Sequence, residues 1–70
     1  MPKLPELNPK KVEARLFALG FLFEKQRGSH RIYSKGECYV TVPFHKVVKK
    51  GTLHAIIKQS GVNAEIFLGK

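Results

Sequence analysis

Apolar positions in the first third of the chain recur with the period of a helix. They lie three or four residues apart or side by side and comprise Val12, Leu16, Phe17 and Leu19. Asn8 and Pro9 are typical of a helix start, because Asn accepts backbone N–H groups and Pro lacks only a donor that the first turn leaves unpaired. Gly20 favours a left-handed helix end. The pattern predicts an amphipathic helix between Asn8 and Gly20.

Aromatic and β-branched residues dominate the next stretch, in three short runs. The runs cover residues 21–26, 29–34 and 38–42, and each of the two breaks between them contains a glycine. Short breaks of this kind predict a three-stranded antiparallel meander. Pro43 is expected to end the third strand, because proline has no N–H to donate to a neighbouring strand.

A second helical pattern follows a basic connection over residues 45–50. Its apolar stripe consists of Leu53, Ile56 and Ile57. Thr52 is the predicted N-cap and Gly61 the predicted end of this helix. Asn63 can cap one last turn, which places Ile66 or Phe67 on the core.

The order of these elements is α-β-β-β-α, with a short C-terminal helix. It predicts an α+β fold in which helices cover one face of a three-stranded antiparallel sheet and the other face is open to solvent. A chain of 70 residues supports one core, so we expect a single domain over residues 1–70. Residues 1–7 are predicted to be a flexible tail.

The charge of the chain indicates which kind of molecule it can bind. Thirteen Lys and Arg against five acids give a net charge of +8, and no acid lies between Glu37 and Glu65. Such a basic chain suits a polyanion, and nucleic acid is the first candidate; a surface that charge merely keeps soluble is the alternative. No apolar run is long enough to span a membrane and no secretory signal is apparent, so we expect a cytoplasmic protein. The single cysteine, Cys38, is predicted to be a small side chain packed in the interior, with a reactive thiol as the alternative.

The inventory of reactive residues excludes several kinds of site. The glycines show no nucleotide-binding spacing, the chain has no Asp, and its Glu, His and Cys residues lack the spacing of a metal site. We therefore expect no metal and no cofactor. Cleavage of nucleic acid without a metal favours RNA, since RNA carries an internal nucleophile in its 2′-OH. The protein then has to supply proton transfer and positive charge, for which histidine and nearby cations are suited.

His30 is the candidate for proton transfer. It lies at the start of the second predicted strand, and the cations near it are Lys25, Arg27, Arg31 and Lys35. Strand alternation puts His30 and Ile32 on one face and Arg31 and Tyr33 on the other. The pattern leaves open which of these faces is buried. Taken alone, His30 is more often a structural residue, and His45 and His54 are predicted to be surface residues, with His45 able to line the face of His30.

Several ordered motifs resemble the HicA family of toxins, also called YcfA-like proteins. They are Gly20-Phe21, the segment from Gly28 to Tyr33 with its Gly-Ser-His sequence, the segment from Val40 to His45, Gly51-Thr52-Leu53, and Lys58 to Gly61. The resemblance covers about residues 8–68. The turn at residues 35–37 departs from it, being shorter and more basic at its start than is common in the family.

The resemblance implies a fold similar to double-stranded-RNA-binding domains, ribosome-independent cleavage of mRNA, and neutralisation by a HicB-like antitoxin. It also implies that His30 is the catalytic residue. The predicted RNA-binding residues are Lys25, Arg27, Ser29, Arg31, Lys35 and His45. Two alternatives stay open from the sequence: a non-catalytic RNA-binding module of the same fold, and an adaptor that binds an acidic protein.

Overall fold

The computed structural model describes residues 6–69, which form a three-stranded sheet with helices on one face. The helices are α1 (Pro9–Ala18), α2 (Lys50–Ser60) and α3 (Ala64–Phe67), and the strands are β1 (Leu22–Arg27), β2 (His30–Lys35) and β3 (Cys38–Pro43). The predicted α-β-β-β-α order and short C-terminal helix are confirmed. The arrangement is the α+β fold that the pattern predicted, and it is consistent with the double-stranded-RNA-binding kind that the family resemblance implied.

The predicted tail lies mostly outside the described residues, since residues 1–5 are not among them. Leu7, at the end of that segment, forms an isolated antiparallel bridge with Val48. The Leu7 N–H donates to the Val48 carbonyl at 3.2 Å, and the Val48 N–H donates to the Leu7 carbonyl at 2.7 Å. Because Val48 is buried, this bridge holds the segment before α1 against the connection that leads to α2.

The sheet is antiparallel throughout, with β2 between β1 and β3. Tyr33 of β2 lies opposite Phe23 of β1 and Val40 of β3. The register of β1 shifts at Glu24, where the strand holds one residue more than β2 does. Such a bulge changes the face to which the following side chains point.

The core lies between the sheet and the helices. Its buried apolar residues are Val12, Leu16, Phe21, Tyr33, Val40, Val42, Val48, Leu53, Ile56, Ile57 and Phe67. The predicted stripe of α2 is buried in full, and Phe67 rather than Ile66 is the residue of α3 that packs on the core. The strands contribute Tyr33, Val40 and Val42 from the face that the helices cover.

Helix ends agree with the sequence at four of five predicted points, among them Gly20, which follows the end of α1 with a φ of 98°. The Asn8 side chain accepts the Lys11 N–H at 2.8 Å, and the Asn63 side chain accepts the Ile66 N–H at 2.8 Å. Gly61 ends α2 with a φ of 80°, a conformation that glycine adopts without a steric penalty. These contacts satisfy backbone groups that a helix by itself leaves unpaired.

Two expectations were wrong. α2 begins at Lys50 with Lys49 at the N-cap position, so Thr52 lies inside the first turn and does not cap the helix. Cys38 is exposed rather than packed, because it opens β3 beside the β2–β3 turn, at the margin of the sheet.

The two capping assignments are testable together. Asn8→Ala should lower the free energy of unfolding by about 0.5–2 kcal/mol, since it removes the acceptor for the Lys11 N–H. Thr52→Ala should leave the free energy of unfolding unchanged or slightly higher, because alanine is the better residue inside a helix. Urea unfolding followed by circular dichroism measures both. A larger loss in Thr52→Ala than in Asn8→Ala would contradict the assignment.

Candidate functional site

The orientation of β2 decides where its histidine points. Tyr33 is fully buried on the face that the helices cover. Because side chains alternate along a strand, His30 and Ile32 point to the opposite, open face, and His30 is exposed to solvent. Of the two packings that the sequence left open, the structure has the one with Tyr33 inside and His30 outside.

His45 lies beside His30. The centroids of the two imidazole rings are 6.0 Å apart, and the rings stand nearly perpendicular, at 77°. The residues that precede the two histidines are hydrogen-bonded to each other, because the Phe44 N–H donates to the carbonyl of Ser29 at 2.6 Å. His30 also lies opposite Pro43, so the chain that leaves β3 turns directly past His30. The structure thus brings together two histidines that are 15 positions apart.

Two of the predicted cations share the face of His30. Arg27 lies directly opposite His30 in the β1–β2 register, and Lys25 lies opposite Ile32. The bulge at Glu24 is the cause: Phe23 and Lys25 would share a face in a regular strand, but the extra residue leaves Phe23 beside Tyr33 and turns Lys25 and Arg27 to the open face. Both cations are exposed.

The other two predicted cations of this region belong to the helix-covered face. The Arg31 guanidinium bonds to the Glu13 carboxylate of α1 at 2.9 Å and to the Gln26 side-chain oxygen at 3.2 Å. The Lys35 ammonium donates to the carbonyl of Leu19, at the C-terminal end of α1, at 2.7 Å. Their charges contact α1 or a neighbouring strand, on the opposite side of the sheet from His30.

Glu13 joins α1 to two side chains of β2, although sequence reasoning did not single it out. Its carboxylate accepts hydrogen bonds from the buried phenol of Tyr33 and from Arg31. The side chain of Glu13 is only 20% exposed. A sequence signal existed, because Glu13 follows the buried Val12 and precedes the buried Leu16 by three residues, which places an acid at the margin of the apolar stripe of α1.

Arg31 connects this carboxylate to the loop that carries His45. Its guanidinium carbon lies 4.1 Å from the centroid of the Phe44 ring, a cation–π contact, and 5.7 Å from that of Phe23. Phe44 directly precedes His45 in the chain. A line of contacts therefore runs from Glu13 through Arg31 and Phe44 to the backbone of the histidine pair.

The surroundings of Tyr33 and Arg31, which include the hydrogen bonds to Glu13, shift the pKa of both side chains. Burial, together with the hydrogen bond to Glu13, raises the pKa of Tyr33 well above its usual range, because the charged phenolate is disfavoured in such surroundings. The hydrogen bond to Glu13 likewise raises the pKa of Arg31, so its guanidinium stays protonated. Tyr33 is thus a neutral donor to Glu13 and lies on the far side of the sheet from His30.

Within residues 6–69, no three His, Cys, Asp or Glu side chains are grouped closely enough to hold a metal ion. In the same part of the chain, no helix has the length and apolar character needed to cross a bilayer. His54, the remaining histidine, is exposed on α2 and separate from the pair formed by His30 and His45.

The model of one protein family matches residues 9–62, which is more than half of the chain. Its description is HicA toxin of bacterial toxin–antitoxin systems. The chain belongs to the HicA toxin family. The matched residues include all three strands, α1 and α2, and with them His30, His45 and the contacts of Glu13. Among curated proteins, none matches this HicA toxin.

The ionisation of Tyr33 gives a test of the buried network. In Tyr39→Phe, Tyr33 is the only tyrosine, and its phenolate absorbance should appear well above about pH 10, the usual range. Because the folded-state pKa is raised, the stability that neutral Tyr33 contributes is fully present below about pH 10 and is lost as the pH rises through the folded-state value.

The control for this titration is Glu13→Gln in the same background. Loss of the carboxylate removes one cause of the raised pKa, so the phenolate of Tyr33 should appear at lower pH than with Glu13 present. Absorbance titration and urea unfolding from about pH 8 to about pH 12 measure both effects. Ionisation of Tyr33 at the pH of a free tyrosine would show that its phenol is not held as described.

Proposed function

We propose that this HicA toxin is an endoribonuclease that cleaves mRNA without a metal ion or cofactor, and that His30 is its catalytic residue. The observation that carries the proposal is the pair of His30 and His45 on the open face, 6.0 Å apart between ring centroids, with Arg27 opposite His30. Two exposed imidazoles beside a cation have the chemistry that transesterification of RNA requires.

In the proposed reaction the substrate supplies the nucleophile. His30 accepts the proton of a ribose 2′-OH, and the oxygen attacks the adjacent phosphorus. The bond from phosphorus to the 5′ oxygen of the next nucleotide then breaks, leaving a 2′,3′-cyclic phosphate and a 5′-OH. That leaving oxygen takes a proton from an acid, and Arg27 stabilises the added negative charge on the phosphate oxygens.

We propose His45 as the acid of this reaction. The candidates for this second proton carrier are His45, Tyr33 and solvent. The ring of His45 is near His30 on the open face, whereas the phenol of Tyr33 is buried on the other face and donates to Glu13. A base and an acid on either side of one phosphate suit an in-line displacement, since the proton is taken from one oxygen and given to another.

The predicted RNA contacts differ in their roles under this proposal. Lys25, Arg27 and His45 face the RNA, and Ser29 holds the loop of His45 through its carbonyl. Arg31 and Lys35 add to the positive potential while their charged groups bind Glu13 and the end of α1. The net charge of the whole chain, +8, attracts RNA over distances longer than these contacts.

The physiological inhibitor is proposed to be a HicB-like antitoxin. It would cover His30 and place acidic or backbone groups against the cations of the open face. RNA as substrate and an antitoxin as partner imply that the toxin acts in the cytoplasm, where its mRNA target is translated.

Cleavage by histidine variants tests the assignment. His30→Ala should lower the cleavage rate at saturating RNA by roughly 100-fold or more, and His45→Ala should also lower it markedly, because each variant removes one proton carrier. His54→Ala is the matched control and should cleave at the parental rate, since His54 is exposed on α2. Gel analysis of a labelled oligoribonucleotide measures all three rates.

Further measurements in the same experiment distinguish the proposed reaction from its alternatives. A 2′-deoxy substitution at the cleaved nucleotide should block the reaction, and cutting at that position would exclude the 2′-OH as nucleophile. Parental cleavage by His30→Ala would refute the catalytic assignment. Binding without any cleavage by the parental protein would instead favour the alternative of a non-catalytic RNA-binding module.

Salt dependence tests the cations of the open face. Arg27→Gln should weaken RNA binding and reduce the slope of log K against log salt by about 0.7, the value for one phosphate contact on a single strand. Lys35→Gln should change the slope less, because its ammonium donates to the Leu19 carbonyl, and should lower stability instead. Fluorescence anisotropy at several salt concentrations measures the slopes. Equal slopes for Arg27→Gln and the parental protein would contradict the proposed contact.

A further inference from the structure

The open face of the sheet continues well beyond the histidine pair. Among the residues that the structure describes, the two most exposed large hydrophobic side chains are Leu22, at 70%, and Tyr39, at 60%. Both lie opposite Ser34, Leu22 on β1 and Tyr39 on β3. They form one row across the face, and burial in the core explains neither of them.

Tyr39 borders a shallow depression on this face. The depression is lined by Glu24, Lys25, Ile32, Tyr39 and Thr41. Ile32 is central, with Lys25 opposite on one side and Thr41 opposite on the other. Because Ile32 and His30 are two residues apart on β2, the depression and the histidine pair share the same face.

The depression has the chemistry of a site for a base. An exposed tyrosine presents a flat ring on which any nucleobase can stack, and Lys25, across the depression on β1, can contact the backbone phosphate. The one acid in the lining, Glu24, accepts a hydrogen bond from the Ser34 hydroxyl at 2.7 Å and is thereby held in place. Arg27 and Lys25 give this face the positive charge that a polyanion requires.

The distance along β2 between His30 and the row of Tyr39 indicates which nucleotide of the substrate the depression can bind. Ser34, opposite Tyr39, is four residues from His30, or about 13 Å along the strand. That is too far for the two nucleotides that flank the cleaved bond, and it suits a nucleotide further along the same strand. A duplex would keep its bases stacked and paired, so only a single-stranded segment can offer a base to the ring.

We propose that Tyr39, with Ile32 and Thr41 in the adjoining row of the same face and Lys25 across the depression, is a base-stacking subsite for single-stranded RNA. The subsite rests on the proposed function, because it assumes RNA as the ligand of the open face. It makes the substrate a single strand that runs along β2, with its cleaved phosphate at His30 and another of its bases on Tyr39.

Binding of a substrate that cannot be cleaved tests the subsite. The probe is a fluorescein-labelled oligoribonucleotide with a 2′-deoxy nucleotide at the cleavage position, and the readout is anisotropy. Tyr39→Ala should raise the Kd roughly 5- to 100-fold, the range for losing one stacked base, and Tyr39→Phe should keep the parental Kd. Ile66→Ala is the matched control, since Ile66 is half-exposed on α3, and it should also keep the parental Kd.

A scan of the RNA assigns the base. One abasic site is placed at successive positions of the probe and each probe is titrated with the parental protein and with Tyr39→Ala. One position beyond the cleaved bond should weaken binding to the parental protein and have little further effect on Tyr39→Ala, because both changes remove the same stack. Independent, additive losses at every position would overturn the subsite.

The outcomes distinguish the subsite from the cleavage proposal, because anisotropy requires no catalysis. An unchanged Kd in Tyr39→Ala, with folding verified by circular dichroism, overturns the subsite even if cleavage depends on His30. Tyr39-dependent binding without cleavage supports the subsite and refutes the proposed reaction. If Tyr39→Ala leaves the Kd for RNA unchanged but weakens the complex with a HicB-like antitoxin, the row is a protein interface and the subsite is overturned.

Discussion

The buried phenol of Tyr33 fixes the orientation of the central strand. Its ring is covered by the helices and meets the edges of Phe17 and Phe23, at centroid distances of 5.8 and 5.9 Å. Its hydroxyl needs a partner inside the protein, which Glu13 provides. Because a strand has a period of two, burying Tyr33 turns His30 to the open face, and a shift of one residue would reverse both.

The same carboxylate links the core to the candidate site. Glu13 binds Tyr33, which belongs to the core, and Arg31, whose guanidinium lies over the ring of Phe44 next to His45. A half-buried ion pair of this kind contributes little net stability, but removing one partner leaves the other charge unpaired. Its consequence here is geometric, since Arg31 joins Glu13 to the ring of Phe44, which directly precedes His45.

Much of the fold followed from the sequence. Period, caps and glycines predicted the order of the elements, the buried stripe of α2 and the ends at Asn8 and Gly61, because these depend on neighbours within a few residues. Local sequence signals predicted the structure less well at positions that several residue types can occupy equally well. Thr52 looked like a cap, yet the helix extends back to Lys50, and Cys38 looked like a core residue, yet it lies at the margin of the sheet.

The sequence by itself determined the fold class, the basic character of the surface, the choice of His30 as the candidate and, through ordered motifs, the HicA family. Tertiary structure decided that the face of His30 is the open one and which residues of the other segments share it. The burial of Tyr33 left this face open to solvent, and the bulge at Glu24 moved Lys25 and Arg27 onto it. The turn after Pro43 brought His45 to His30. Each of these features depends on strand register or on contacts between residues far apart in the sequence. A periodic pattern of residue types reveals neither the register nor such contacts.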